Sequence, residues 1–170
     1  MHFKIRIFEQ VIHVGYPLIN IVTNMKTVIQ RVSKASVEVN NTIIGSINNG
    51  LLLLVGFHST DSIETVEWMC QKILKMRIFH DNEQKMNLSV QDVEGGILVV
   101  SQFTLYGDAK KGNRPSFIES ARPETAIPLY ESMINYFKNT SGLNIQSGEF
   151  GAMMDVSLVN SGPVTILLEK

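Results

Sequence analysis

From residue 26 onward, short apolar runs alternate with polar punctuation. Lys26–Ser33 and Ala35–Val39 are rich in valine and isoleucine and predict strands. Asn40-Asn41 predicts a turn, with Thr42–Ile47 returning as the second arm of a hairpin. Asn48-Asn49-Gly50 turns the chain again into LLLLVGF, a continuous apolar run suited to a central strand. Ile97–Leu105, ILVVSQFTL, lies between Gly95-Gly96 and Gly107-Asp108 and reads as another buried strand. Leu143–Gly151, Met154–Asn160 and Val164–Leu168 predict three more.

Two stretches change period. Over Thr60–Arg77, apolar residues recur at helical spacing (Ile63, Val66, Met69-Cys70, Ile73-Leu74), and Asp61 and Glu64 have the spacing of a capping box. Pro123–Asn139 predicts a second helix with apolar positions Leu129, Met133, Ile134 and Phe137. Pro128 conflicts with it, since an interior proline costs about 3 kcal/mol, and the alternative is a helix starting at Pro128. The order β-β-β-β-α-β-β-α-β-β-β predicts a single α+β domain. The expected architecture is a largely antiparallel sheet, rolled or doubled into a ββα-type sandwich, with two helices packed outside.

The chain has 170 residues, 44% hydrophobic and 18% charged, a globular balance with room for a sizeable core. A net charge of −1 argues against an overall basic nucleic-acid binder, so RNA contact requires a local patch. The single cysteine, Cys70, permits no internal disulfide and sits in an apolar helical pattern, as a buried core thiol would. Residues 1–24 contain an apolar stretch broken by Gly15, Tyr16 and Pro17, with Lys4, Arg6 and Glu9 before it. They read neither as a membrane span nor as a secretory signal. The preferred reading takes Met25 as the natural start and 1–24 as upstream sequence read through, outside the domain at 25–170. The alternative is a genuine extension forming an added strand.

Candidate chemistry sits at strand ends. Ser101, Gln102 and Thr104 place three polar side chains in a buried strand, where each needs a partner. Strict alternation would set Ser101, Phe103 and Leu105 on one face and Gln102 and Thr104 on the other. VSLVNSGPVT (156–165) repeats the design, an apolar strand running into small polar residues and Gly162-Pro163. The loop YGDAKKGNR holds Lys110, Lys111 and Arg114, the densest basic cluster, equally a solvated loop or a phosphate contact. Phe117 closes the loop as a packing residue. No GxSxG elbow, phosphate-cradling glycine loop or zinc-spaced ligand pair is present, so no metal or cofactor is expected. Within 25–170 the histidines are His58 and His80, in no recognisable arrangement with Ser101 or Thr104.

SQFTL (101–105) and NSGPVT (160–165) resemble the two signature motifs of the D-aminoacyl-tRNA deacylases. MKTVIQRVSKASVEV from Met25, KMNLSV (85–90) and NRPSF (113–117) extend the resemblance over the remaining chain, in the family's order. The resemblance implies an esterase that releases D-amino acids, and glycine, from mischarged tRNA. It implies a cytoplasmic homodimer in which Gly162-Pro163, with a cis bond, enters the partner's pocket and excludes L substrates. It further implies that Arg31 holds that turn, that Met86 and its block line the pocket with Phe117 among the substrate-binding residues, and that the tRNA 2′-OH assists catalysis around Ser101, Gln102, Phe103 and Thr104. Thr104 as a nucleophile is the weaker alternative. The competing functions are a non-catalytic nucleic-acid-binding module and a small-molecule esterase using Thr104.

Overall fold

The computed structural model describes residues 25–170; the readings of 1–24 lie outside the described residues. The spine is β1 (Lys26–Val39), one strand where two were expected. Ser33 and Lys34, which interrupt the apolar pattern, are exposed, and the backbone ladder runs through them. Asn40 and Asn41 turn with positive φ (50° and 61°), leading into β2 (Thr42–Ile47), antiparallel to the second half of β1. β3 (Gly50–Gly56) pairs antiparallel with the first half, Lys26 opposite Gly56 and Val32 opposite Gly50.

α1 (Ile63–Lys75) and a small hairpin, β4 (Phe79–His80) with β5 (Met86–Leu88), lead to β6 (Gly96–Ser101), which runs parallel to β3. α2 (Pro123–Ser141) then leads to β7 (Ile145–Ser147), parallel to β6. The last strand, β8 (Asp155–Glu169), runs antiparallel along the free edge of β1. The sheet, ordered β2-β1-β3-β6-β7 with β8 on β1, is mixed. The antiparallel expectation missed this because each helix serves as a crossover between parallel neighbours, a connection no hairpin can make.

The sheet curls until Gly45 of β2 lies against the Ser147 carbonyl of β7, making a nearly barrel-like roll, the rolled rather than the doubled form of the expected sheet. Leu52, Leu98 and Val100 point into the roll with Val32, Val37 and Ile47. Leu51, Leu53, Ile97 and Val99 point outward under Val66, Met69 and Ile73 of α1 and Met133 and Phe137 of α2. Burial on both faces explains why β3 and β6 read as unbroken apolar runs. Each fully buried aliphatic side chain contributes about 1.5–3 kcal/mol. β3 and β6 start side by side because both first residues are glycine; a Cβ on Gly50 would stand 1.9 Å from the Gly96 carbonyl oxygen.

The helix ends differ from expectation in instructive ways. α1 is capped by Ser62, whose hydroxyl accepts from the Thr65 N–H at 3.4 Å, while Asp61 accepts instead from the His58 N–H at 2.7 Å. α2 starts at Pro123 and runs straight through Pro128. The carbonyl that Pro128 leaves unbonded belongs to exposed Glu124 in the first turn, where water can satisfy it.

Candidate active site

β6 stops at Ser101. The backbone then turns at Gln102 into a 3₁₀ turn, Phe103–Tyr106, so Ser101, Phe103 and Leu105 share no strand face. The Gln102 N–H donates to the Val55 carbonyl at 2.7 Å, fixing where the turn begins. The N–H groups of Phe103 and Thr104 open this turn and take no part in its i→i+3 bonding. The Gln102 amide donates to the Thr104 hydroxyl. Phe103, 57% exposed, meets Phe117 edge to face at 5.2 Å between ring centres.

A cavity of about 430 Å³ opens at this strand end, lined by Ser101–Thr104, by Phe57 and by the loop Phe150–Met154. Sequence reasoning missed that loop by extending a strand to Gly151; β7 ends at Ser147. The available signal was GEFGA, two glycines and an alanine at 148–152. Buried Tyr130 pins the start of the loop, its hydroxyl lying 2.8 Å from the Val99 carbonyl and 3.1 Å from that of Gly148. Among the described residues the lining contains no ionisable side chain. His58 lies outside it, its Nδ1 3.0 Å from the Thr60 hydroxyl and its Nε2 3.1 Å from Glu119. Cys70 is fully buried in the helix-packed core, where desolvation pushes its thiol up to about 12.

The second motif is built on β8. Asn160 pairs with Val32 and Thr165 with Gln30, so Ser161–Val164 bulge out opposite Arg31 alone. The Gly162–Pro163 bond is cis. Arg31 is buried; its Nε donates to the Ser161 carbonyl at 3.2 Å and its Nη1 to the Ile78 carbonyl. The Asn160 amide donates to the Thr165 hydroxyl at 2.9 Å across the neck of the turn. Gly162 has φ +118°, and a Cβ there would stand 2.6 Å from Arg31 Nη2.

The named residues therefore fall at two ends of the molecule. Ser101 pairs with Val55 and Val55 with Thr27, whereas the turn stands at Arg31. That is about 14 Å along the strands, and up to three strand spacings of about 4.8 Å across. Ser101, Gln102, Phe103, Thr104 and Phe117 gather at the cavity end. Lys110, Lys111 and Arg114 lie exposed in the loop that an Asp108–Ser116 bridge closes just before Phe117. Arg31, Gly162 and Pro163 lie at the other end. Met86, half exposed in the β4–β5 hairpin, does not line the cavity.

A family model described as D-Tyr-tRNA(Tyr) deacylase matches residues 28–169, taking in both ends of this arrangement. The chain belongs to the D-aminoacyl-tRNA deacylase family. It is 57% identical over 146 residues to the D-aminoacyl-tRNA deacylase of Chloroherpeton thalassium, covering 86% of this chain and 96% of that one. The Exiguobacterium sibiricum D-aminoacyl-tRNA deacylase is 55% identical over the same length, covering 86% of this chain and 100% of that one. Among solved structures, the c-Myc DNA unwinding element binding protein superposes with a TM-score of 0.79 at 41% identity, covering 85% of this chain and 98% of that one. A probable eukaryotic D-amino acid tRNA deacylase shares the fold at TM-score 0.76 and 18% identity, over 86% and 100% of the two chains. The deacylase is thus a hydrolase of carboxylic ester bonds with aminoacylated tRNA as substrate. No described helix is long and apolar enough to cross a membrane.

Proposed function

We propose that this deacylase proofreads chirality by excluding L-aminoacyl esters with a partner's Gly162-Pro163 turn, and that the tRNA's own 2′-OH assists hydrolysis. The observation that supports the catalytic half is that, among the described residues, no ionisable side chain lines the cavity. A hydroxyl nucleophile needs a base, and the Thr104 hydroxyl has only the Gln102 amide donating to it. The ester's neighbouring ribose hydroxyl supplies what the protein lacks. The Phe103 and Thr104 N–H groups hold the carbonyl oxygen, and orientation in a water-poor cavity does the rest. Thr104→Ala with near-normal single-turnover rates supports this; loss of all hydrolysis would make Thr104 the nucleophile.

The chiral half rests on the separation of turn and cavity within one protomer. A turn braced so firmly yet so far from its own cavity is suited to a neighbour's, which requires a two-fold homodimer with two composite sites. A rigid backbone over the ester occupies the space of an L side chain, while a D residue presents hydrogen there. Glycine has nothing to clash, so glycyl-tRNA is a substrate too. The test uses D-tyrosyl-, L-tyrosyl- and glycyl-tRNA with excess protein. Cleavage of the first and third alone is expected, and equal cleavage of the L form would end the exclusion reading. The solved relative with 41% identity is named for binding a DNA element, which favours nucleic-acid binding as a second reading. Tight tRNA binding with no amino acid released would select it.

A further inference from the structure

A second concavity, of about 490 Å³, lies along the C-terminal half of α1, lined by Trp68, Gln71, Lys72, Lys75, Met76 and Arg77. Lys72, Lys75 and Arg77 are exposed, and none joins the ion pairs of the described residues, which are Lys26–Glu169, Lys85–Glu83 and His58–Glu119. Lys170 brings a fourth cation to the rim, its Nζ 5.1 Å over the Trp68 ring. The opposing carboxylates are Glu67, one turn back on α1, and Asp92, whose carboxyl is held down by its Ser89 hydrogen bonds with a smaller contribution from Arg77. A helix C-terminus favours cations, which accounts for part of Lys72 and Lys75 in the last turn. That end carries only about half a negative charge, however, and Arg77 lies beyond the helix. The surface therefore holds more positive charge than the fold needs.

We propose that this concavity binds the phosphate backbone of the tRNA acceptor stem. The charge is complementary, with Lys72, Lys75 and Arg77 lining one concavity and Lys170 at its rim over Trp68. Its position fits the substrate's path. Arg77 directly precedes Ile78, whose carbonyl holds Arg31, which in turn braces the Gly162-Pro163 turn. The proposal rests on the tRNA-deacylase reading above, but the phosphate contact itself does not depend on the dimer.

The test is Lys72→Glu/Lys75→Glu, assayed on D-tyrosyl-tRNA and on D-tyrosyl-adenosine, which has the ester but no stem. Both side chains are exposed and the buried face of α1 is untouched. The expected result is a KM for the tRNA at least about tenfold higher, with kcat retained and the adenosine ester unaffected. The slope of log affinity against log salt should flatten by about 2, from about 0.9 per lost duplex phosphate contact. Lys72→Gln/Lys75→Gln should flatten it similarly with a smaller rise in KM, which separates lost contacts from repulsion. An unchanged KM and slope on tRNA, or equal loss on both substrates, overturns the proposal. Failure of chiral exclusion would appear only in the D-to-L ratio, which this assay does not use.

Discussion

Gly162→Ala concentrates the structural argument in one methyl group. The residue sits at φ +118°, a region L residues enter at a cost of about 1–3 kcal/mol. The new Cβ would lie 2.6 Å from Arg31 Nη2 and 3.0 Å from Val164 Cγ2. A free arginine would swing aside, but Arg31 is 5% exposed and bonded to the carbonyls of Ser161 and Ile78. Breaking one such charge-assisted bond costs about 1.5–3 kcal/mol. Either the turn shifts outward or the arginine is released, at about 2–4 kcal/mol in total once the two routes are treated as alternatives. At about 2–4 °C per kcal/mol for a chain of this size, Tm should fall by roughly 5–15 °C. The decisive assay is the ratio of D- to L-tyrosyl-tRNA cleavage below Tm. On the proposed exclusion mechanism, displacing the turn should lower that ratio at least about tenfold, a change of about 1.4 kcal/mol in relative barrier. An unchanged Tm together with an unchanged ratio would refute both the strain at Gly162 and its role in exclusion.

Tyr130→Phe removes the hydroxyl shared by the Val99 and Gly148 carbonyls and should cost about 1–3 kcal/mol in a urea melt, with KM rising because the Phe150–Met154 wall loses its anchor. Asp81 accepts from the Lys85 N–H (3.0 Å), the Asn87 amide (2.6 Å) and the Glu83 N–H (2.8 Å), which together hold its carboxyl below the usual range. Because its folded pKa is depressed, its contribution is complete above the unfolded value of about 3.9 and is lost as pH falls through the folded one. Amide protection at residues 83–87, measured against intrinsic exchange at each pH, should therefore fall on acidification below that point, and Asp81→Ala should show the reduced protection already at neutral pH.

Much of this was legible because it depends on local pattern. The doubly buried strands announced themselves as LLLLV and ILVV, and the α1 stripe gave the residues that meet α2. What escaped is set by partners far along the chain. Nothing in residues 26–39 says that one strand will carry β2 and β3 on one edge and β8 along the other, so the pattern suggested two. The parallel pairing of β3, β6 and β7 depends on where the helices return the chain, which alternation does not encode. SQFTL looked like strand by composition but becomes a 3₁₀ turn because Val55 takes the Gln102 N–H. The cavity's second wall was missed because Phe150–Met154 has ordinary loop composition and acquires meaning only from Tyr130 and the strand end it faces.

The separation of turn and cavity carries one more consequence, about concentration. If each protomer excluded L substrates with its own turn, selectivity would be indifferent to dilution. With up to three strand spacings between the two, the proposed homodimer makes exclusion a property of the pair of chains, so that the free energy of selectivity would be linked to that of association. Diluting the enzyme through its dimer dissociation, followed by sedimentation velocity with a fluorescent label, should lower the D-to-L ratio in step with the dimer fraction. Gly162→Ala at high concentration should resemble dilute wild type in this ratio. A monomer that still cleaves D-tyrosyl-tRNA and still spares the L form would mean that something within one chain performs the exclusion, and the turn would need another purpose.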